Sequence, residues 1–192
     1  SVWAEEGTQI WATETLFPHL MKQYGAFQNA EKLRAARQWA AHISEEDLPC
    51  SSIGRRIDLI ESLETGIRIP THTFKRQKTL SFGDVTLELI EAHGETHDQL
   101  FVWIPQWEVL LAGDNYYDAF PNLYTLRGTS PRPVNQWIQS LDAMRRRNPE
   151  ILVPSHTAPI VGKKKVQEVL THYRDAIAWV RNAVVQGANR GE

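Results

Sequence analysis

The chain has 192 residues, 42% of them hydrophobic, and a formal net charge of −2; that length suffices for one globular domain with a sizeable core. The near-neutral balance gives no electrostatic reason to expect nucleic acid or an anionic membrane as partner, and no run of about 18 apolar residues is present to span a bilayer. A single cysteine, Cys50, excludes an internal disulfide framework; with no histidine or cation beside it to activate the thiol, it reads as a small structural residue.

In chain order, Gln9 to Ala12 predicts a short strand and Glu14 to Tyr24 a helix. Ala30 to Ile43, rich in Ala, Leu, Arg and Gln, predicts a second helix. Pro49, Gly54, Gly66 and Pro70 then punctuate a loop-rich stretch without clear elements, and His72 within it reads as a loop histidine. From Lys78 the period changes: Thr79 to Phe82 and Val85 to Glu91 alternate as strands around a Gly83-Asp84 turn. Gln99 to Ile104 and Val109 to Ala112 follow as apolar strands around Pro105-Gln106-Trp107-Glu108. Pro133 to Asn148 predicts an amphipathic helix, Ile151 to Val153 a buried strand, and Lys163 to Gln186 a long final helix with Val166, Leu170, Tyr173 and Ile177 at helical spacing. The basic runs at Arg145 to Arg147 and Lys163 to Lys165 read as solvated surface. Strands followed by a helix, a strand and a helix argue for a layered α/β domain.

Three segments share one pattern, an apolar strand ending abruptly in a polar cluster: Leu89 to Asp98, Leu110 to Asn115 and Ile151 to His156. Each delivers a carboxylate or imidazole just beyond a strand, beside a glycine or small residue that permits close approach. Such a donor set suits zinc or another borderline divalent ion, although an acidic residue at a strand end also serves as a plain turn former.

These segments resemble, in order and context, the later motifs of the metallo-β-lactamase superfamily. Gly94-Glu95-Thr96 falls where that superfamily places a Gly-His-Thr ligand, with Glu95 in the ligand position. Ala112-Gly113-Asp114 matches the strand ending in a metal-bridging aspartate, and Val153-Pro154-Ser155-His156 matches the last histidine ligand. Glutamate at the first of these positions points toward the alkylsulfatase branch. So does Asn122-Leu123-Tyr124-Thr125-Leu126-Arg127-Gly128, which is similar to an alkylsulfatase signature lying near the substrate's sulfate. The resemblance implies Glu95 and His156 as terminal zinc ligands, Asp114 as the bridge, and Asn122 and Arg127 holding the sulfate, with Tyr124 beside them. A guanidinium fork with an added amide is chemically apt for an oxyanion. No catalytic residue is assigned.

The fold implied is half of an αββα sandwich, with a helical insertion at about residues 14–77. The domain expected over residues 1–162 is a partial metallo-β-lactamase-like one. Residues 163–192 are similar to the start of the helical dimerisation region of alkylsulfatases, which implies a homodimer at full length. The superfamily's His-x-His-x-Asp-His run is absent, since no two of the seven histidines have that local pattern. His93 and His97 flank Glu95 and read as neighbours of the ligand. Ser1 is not a starting methionine, and both ends read as cuts through a longer protein. The expected function is therefore that of a fragment of a zinc-dependent hydrolase that converts alkyl sulfate esters to alcohol and sulfate. Two zinc ions are expected in the intact enzyme, partial or no zinc in this chain, and no activity alone. Alternatives are another hydrolase of the superfamily, acting on a lactam, thioester or phosphoester, or a non-catalytic association domain.

Overall fold

Apolar alternation from residue 77 onward builds one sheet, and the computed structural model shows which of its strands carry the polar exits. The structure describes residues 4–38, 40, 42–44, 46–48, 50, 51, 54, 55, 68–124 and 130–192. They fall into two units, drawn from residues 1–12, 16–73 and 124–131, and from 13–15, 74–123 and 132–192.

The first unit is a set of short elements: β1 (Trp11–Thr13) without its last residue, α1 (Leu16–Leu20), α2 (Gln28–Gln38), β2 (Cys50–Ser51), β3 (Gly54–Arg55) and β4 (His72–Phe74) without its last residue. The helix expected from Glu14 begins at Leu16, with Pro18 tolerated in its first turn, and widens into a π-helix over Met21–Ala26. The second helix stops at Gln38, five residues early, because Ala40 adopts φ 51 and ends it in the left-handed region. β1 and β4 form a two-stranded sheet. Three residues are too few to show a period, so β4 leaves no signal in the sequence. His72 stacks on Trp11 at 4.5 Å and shares a 2.8 Å hydrogen bond with the Thr71 hydroxyl.

In the second unit a six-stranded sheet runs in the order β10-β9-β8-β7-β6-β5. Its members are β5 (Gln77–Phe82), β6 (Val85–Glu91), β7 (Leu100–Ile104), β8 (Val109–Gly113), β9 (Ile151–Pro154) and β10 (Ile160–Val161). All neighbours are antiparallel except β8 and β9, which are parallel and are linked through α3 (Val134–Arg146). A crossover helix is what a parallel pair requires. α4 (Lys163–Arg190) completes the unit and ends at Gly191, whose φ of 80 supplies the left-handed cap.

The two faces of the sheet differ. On one, Phe101, Leu110 and Leu152 pack against Trp137, Leu141 and Met144 of α3 and Val166, Leu170 and Ile177 of α4, all fully buried. On the other, the cross-strand row Leu89, Val102, Leu111 and Val153 is also apolar, and Leu111 remains 37% exposed. The sheet is thus built to be covered on both sides, as in an α/β sandwich.

Candidate functional site

Strand direction gathers the polar clusters. β7 is antiparallel to both β6 and β8, and β9 is parallel to β8, so β6, β8 and β9 all leave the sheet at the same end. Glu95 follows β6, Asp114 follows β8 directly, and His156 lies two residues beyond β9. The Gly113–Pro154 register brings the last two exits side by side. Binding groups at the carboxyl ends of neighbouring strands are the usual arrangement in such sheets.

Asp114 and His156 meet. The imidazole Nδ1 lies 2.6 Å from the carboxylate Oδ1, with the histidine side chain 43% exposed and the aspartate 29%. Gly113, with φ 59, makes the turn that presents Asp114, and a side chain there would also press on the Gln99 amide at 3.0 Å.

Glu95 is held differently. Its carboxylate pairs with the guanidinium of Arg132, whose side chain is only 8% exposed. Arg132 donates a second hydrogen bond to the backbone oxygen of Asn122 and lies 5.8 Å from the Trp137 ring centre. The backbone under Glu95 is fixed by Asn115, which is completely buried. The Asn115 Oδ1 accepts from the Glu95 N–H at 3.0 Å, and its Nδ2 donates to the Ala92 oxygen at 2.6 Å. Trp137 Nε1 in turn donates to the Asn115 oxygen at 3.0 Å. Gly94 passes so close that a Cβ would stand 2.1 Å from the Asn115 Oδ1 and 2.8 Å from Trp137, which is why this position admits only glycine.

The remaining residues of the loop after β6 support it. His93 Nδ1 faces the His97 oxygen at 2.5 Å, and its Nε2 lies 3.6 Å from Glu91. The Ser140 hydroxyl of α3 donates to the His93 oxygen at 2.7 Å. Thr13 and Thr15 donate to the oxygens of Asp98 and His97 at 3.0 and 3.2 Å. Asn122 is exposed, Tyr124 is 67% exposed and belongs to the first unit, and Arg127 and the side chain of Cys50 lie outside the described residues.

Against a divalent ion the donors divide. A carboxylate oxygen and an imidazole nitrogen on adjacent strand exits, both open to solvent, fit as half of a zinc shell. Glu95 does not join them as an available third donor, and among the described residues no group of three or more His, Cys, Asp or Glu stands together as a metal cluster. Sequence reasoning passed over Arg132 and Asn115. Asn115 carried a faint signal, as a polar residue directly after a strand-ending aspartate. Arg132 carried none beyond its place between Pro131 and Pro133.

The sequence profile of the Metallo-beta-lactamase superfamily matches residues 21–156. A linear primary-alkylsulfatase from Pseudomonas sp. (strain ATCC 19151) is 29% identical over 184 residues, 95% of this chain and 35% of that protein. An (R)-specific secondary-alkylsulfatase from Pseudomonas sp. is 30% identical over 100 residues, 50% of this chain and 15% of that protein. The solved structure of the stereoselective inverting sec-alkylsulfatase Pisa1 from Pseudomonas sp. superimposes with a TM-score of 0.84 at 22% identity, over 96% of this chain and 30% of that one. The chain therefore spans about a third of the length of these two long matches.

Proposed function

We propose that this chain, which belongs to the metallo-beta-lactamase superfamily by its match over residues 21–156, forms part of a zinc-dependent hydrolase of alkyl sulfate esters. The observation that carries the reading is the meeting of Asp114 and His156 at 2.6 Å on adjacent strand exits, in a chain that also holds the Asn122-Leu123-Tyr124-Thr125-Leu126-Arg127-Gly128 stretch. The alkylsulfatases among its relatives support the ester as substrate. Asp114 and His156 would hold metal, with Glu95 as a third donor where Arg132 yields it. Zinc bound at such a site supplies an activated water and charge stabilisation.

The chain's own residues provide orientation. Asn122 and Arg127 bind the sulfate oxygens, the guanidinium through a planar fork and the amide through one further donor, and Tyr124 borders them. Residues 1–162 are part of the catalytic domain in this reading. Residues 163–192 begin a helical region through which the longer protein pairs as a homodimer, and the exposed Trp179, Val184 and Val185 on α4 support that role. No helix among the described residues is long and apolar enough to cross a membrane.

The test is sulfate release from dodecyl sulfate by the longer protein, with zinc content measured beside it. Arg127→Lys keeps the charge and loses the fork, so KM rises about tenfold or more, as expected for a charge-assisted bond of roughly 1.5–3 kcal/mol, while zinc content stays unchanged. Asn122→Ala costs less. Unaltered hydrolysis in Arg127→Lys overturns the sulfate assignment. The 192-residue chain alone releases no sulfate, because it lacks a His-x-His-x-Asp-His run.

A further inference from the structure

Arg132 is the most heavily anchored charge beside the strand exits. Prolines on both sides restrict its backbone. Its guanidinium is bonded at once to the Glu95 carboxylate and the Asn122 backbone oxygen, and lies against the Trp137 ring. At 8% side-chain exposure it is shielded from water, the setting in which charge-assisted and cation–π contacts are strongest. The carboxylate that the strand topology delivers to the metal end of the sheet is therefore already neutralised by a fixed cation.

We propose that Arg132 holds Glu95 in place of a divalent cation, so that guanidinium and metal compete for one carboxylate and Arg132 limits how tightly zinc binds this chain. The proposal rests on reading Glu95 as a metal-side carboxylate. One negative charge cannot neutralise both a guanidinium and a divalent ion, and the two cations repel. Asp114 and His156 make a separate pair, as expected if the third donor is withheld.

Tyr173 is a further buried polar group of the same unit. Its residue is 8% exposed, and its hydroxyl has no hydrogen-bond partner among the described residues. A buried, unpaired hydroxyl is costly.

Zinc titration of the whole 192-residue chain by calorimetry, with folding checked by circular dichroism, reads the competition directly. Arg132→Met binds zinc about tenfold tighter than the parent, because removing the competing cation frees the carboxylate for the metal. Adding Glu95→Gln to that variant removes the gain, and Glu95→Gln alone binds zinc no more tightly than the parent. Unchanged or weaker binding in Arg132→Met overturns the proposal, as does an absence of zinc binding in both parent and variant. A second measurement needs no substitution. In nitrogen-15 spectra of the parent, saturating zinc speeds hydrogen exchange at the Arg132 guanidinium; equal protection with and without zinc counts against the competition. Neither measurement reads sulfate release, so failure here leaves the substrate assignment standing, and the reverse holds too.

Discussion

The phenol of Tyr173 is packed among aromatic rings, 5.0 Å from Tyr116, 6.5 Å from Tyr117 and 6.4 Å from Trp137 between centroids. Burial, with a smaller contribution from Tyr117, pushes its ionisation well above the ordinary phenol value. Below about pH 10 the folded and unfolded chains both keep this proton. Above it the unfolded chain releases the proton and the folded chain retains it, so stability falls by about 1.4 kcal/mol for each further pH unit until the raised value is reached. Urea denaturation at pH 8, 10 and 11 shows this loss, and Tyr173→Phe makes it shallower. Tyr116, also raised by burial, leaves a residual slope. Because the Tyr173 hydroxyl has no partner among the described residues, the phenylalanine variant loses less than about 1 kcal/mol at neutral pH. Asn115 is the opposite case, a buried amide with both ends in use. Asn115→Ala strands the Glu95 N–H and the Ala92 oxygen at about 1–3 kcal/mol each, so a loss of roughly 2–6 kcal/mol in the same denaturation experiment is expected. A loss below about 1 kcal/mol means that water replaces the amide.

Among the elements, α4 joins two unlike halves. Val166, Leu170 and Ile177 are fully buried against the sheet and α3, whereas Trp179 and Val184 stand 72% and 65% exposed. Ile177→Ala therefore costs about 2–5 kcal/mol of stability, as a buried large-to-small change does. Val184→Ala, seven residues on and on the same helix, stays within about 0.5 kcal/mol. Equal midpoints for the two variants in thermal unfolding would contradict the burial difference. The helix runs four residues past its expected end at Gln186, to Arg190. Gln186 and Gly187 gave the sequence no apolar period there, while Gly191 supplied the stop.

The α/β sheet was the legible part of the whole molecule, because alternation in Val85 to Glu91 and Leu100 to Ile104 needs no partner to be seen. Two residues of the candidate site were also visible locally, Asp114 and His156, as polar groups just past apolar strands. Their contact was not visible, since it depends on β8 lying parallel to β9, and strand order leaves no mark within either strand. The Arg132–Glu95 pair joins positions 37 apart, and an ion pair of that span has no local pattern at all. The same parallel pairing has a consequence in time. Asp114 and His156 are 42 residues apart, and the antiparallel ribbon from β5 to β8 has all its strands as soon as Gly113 is made. At about 5–20 residues per second of synthesis, roughly 2–8 seconds pass before His156 follows Asp114 off the ribosome. Throughout that interval the finished edge of β8 waits without its neighbour, open to any other strand that reaches it first.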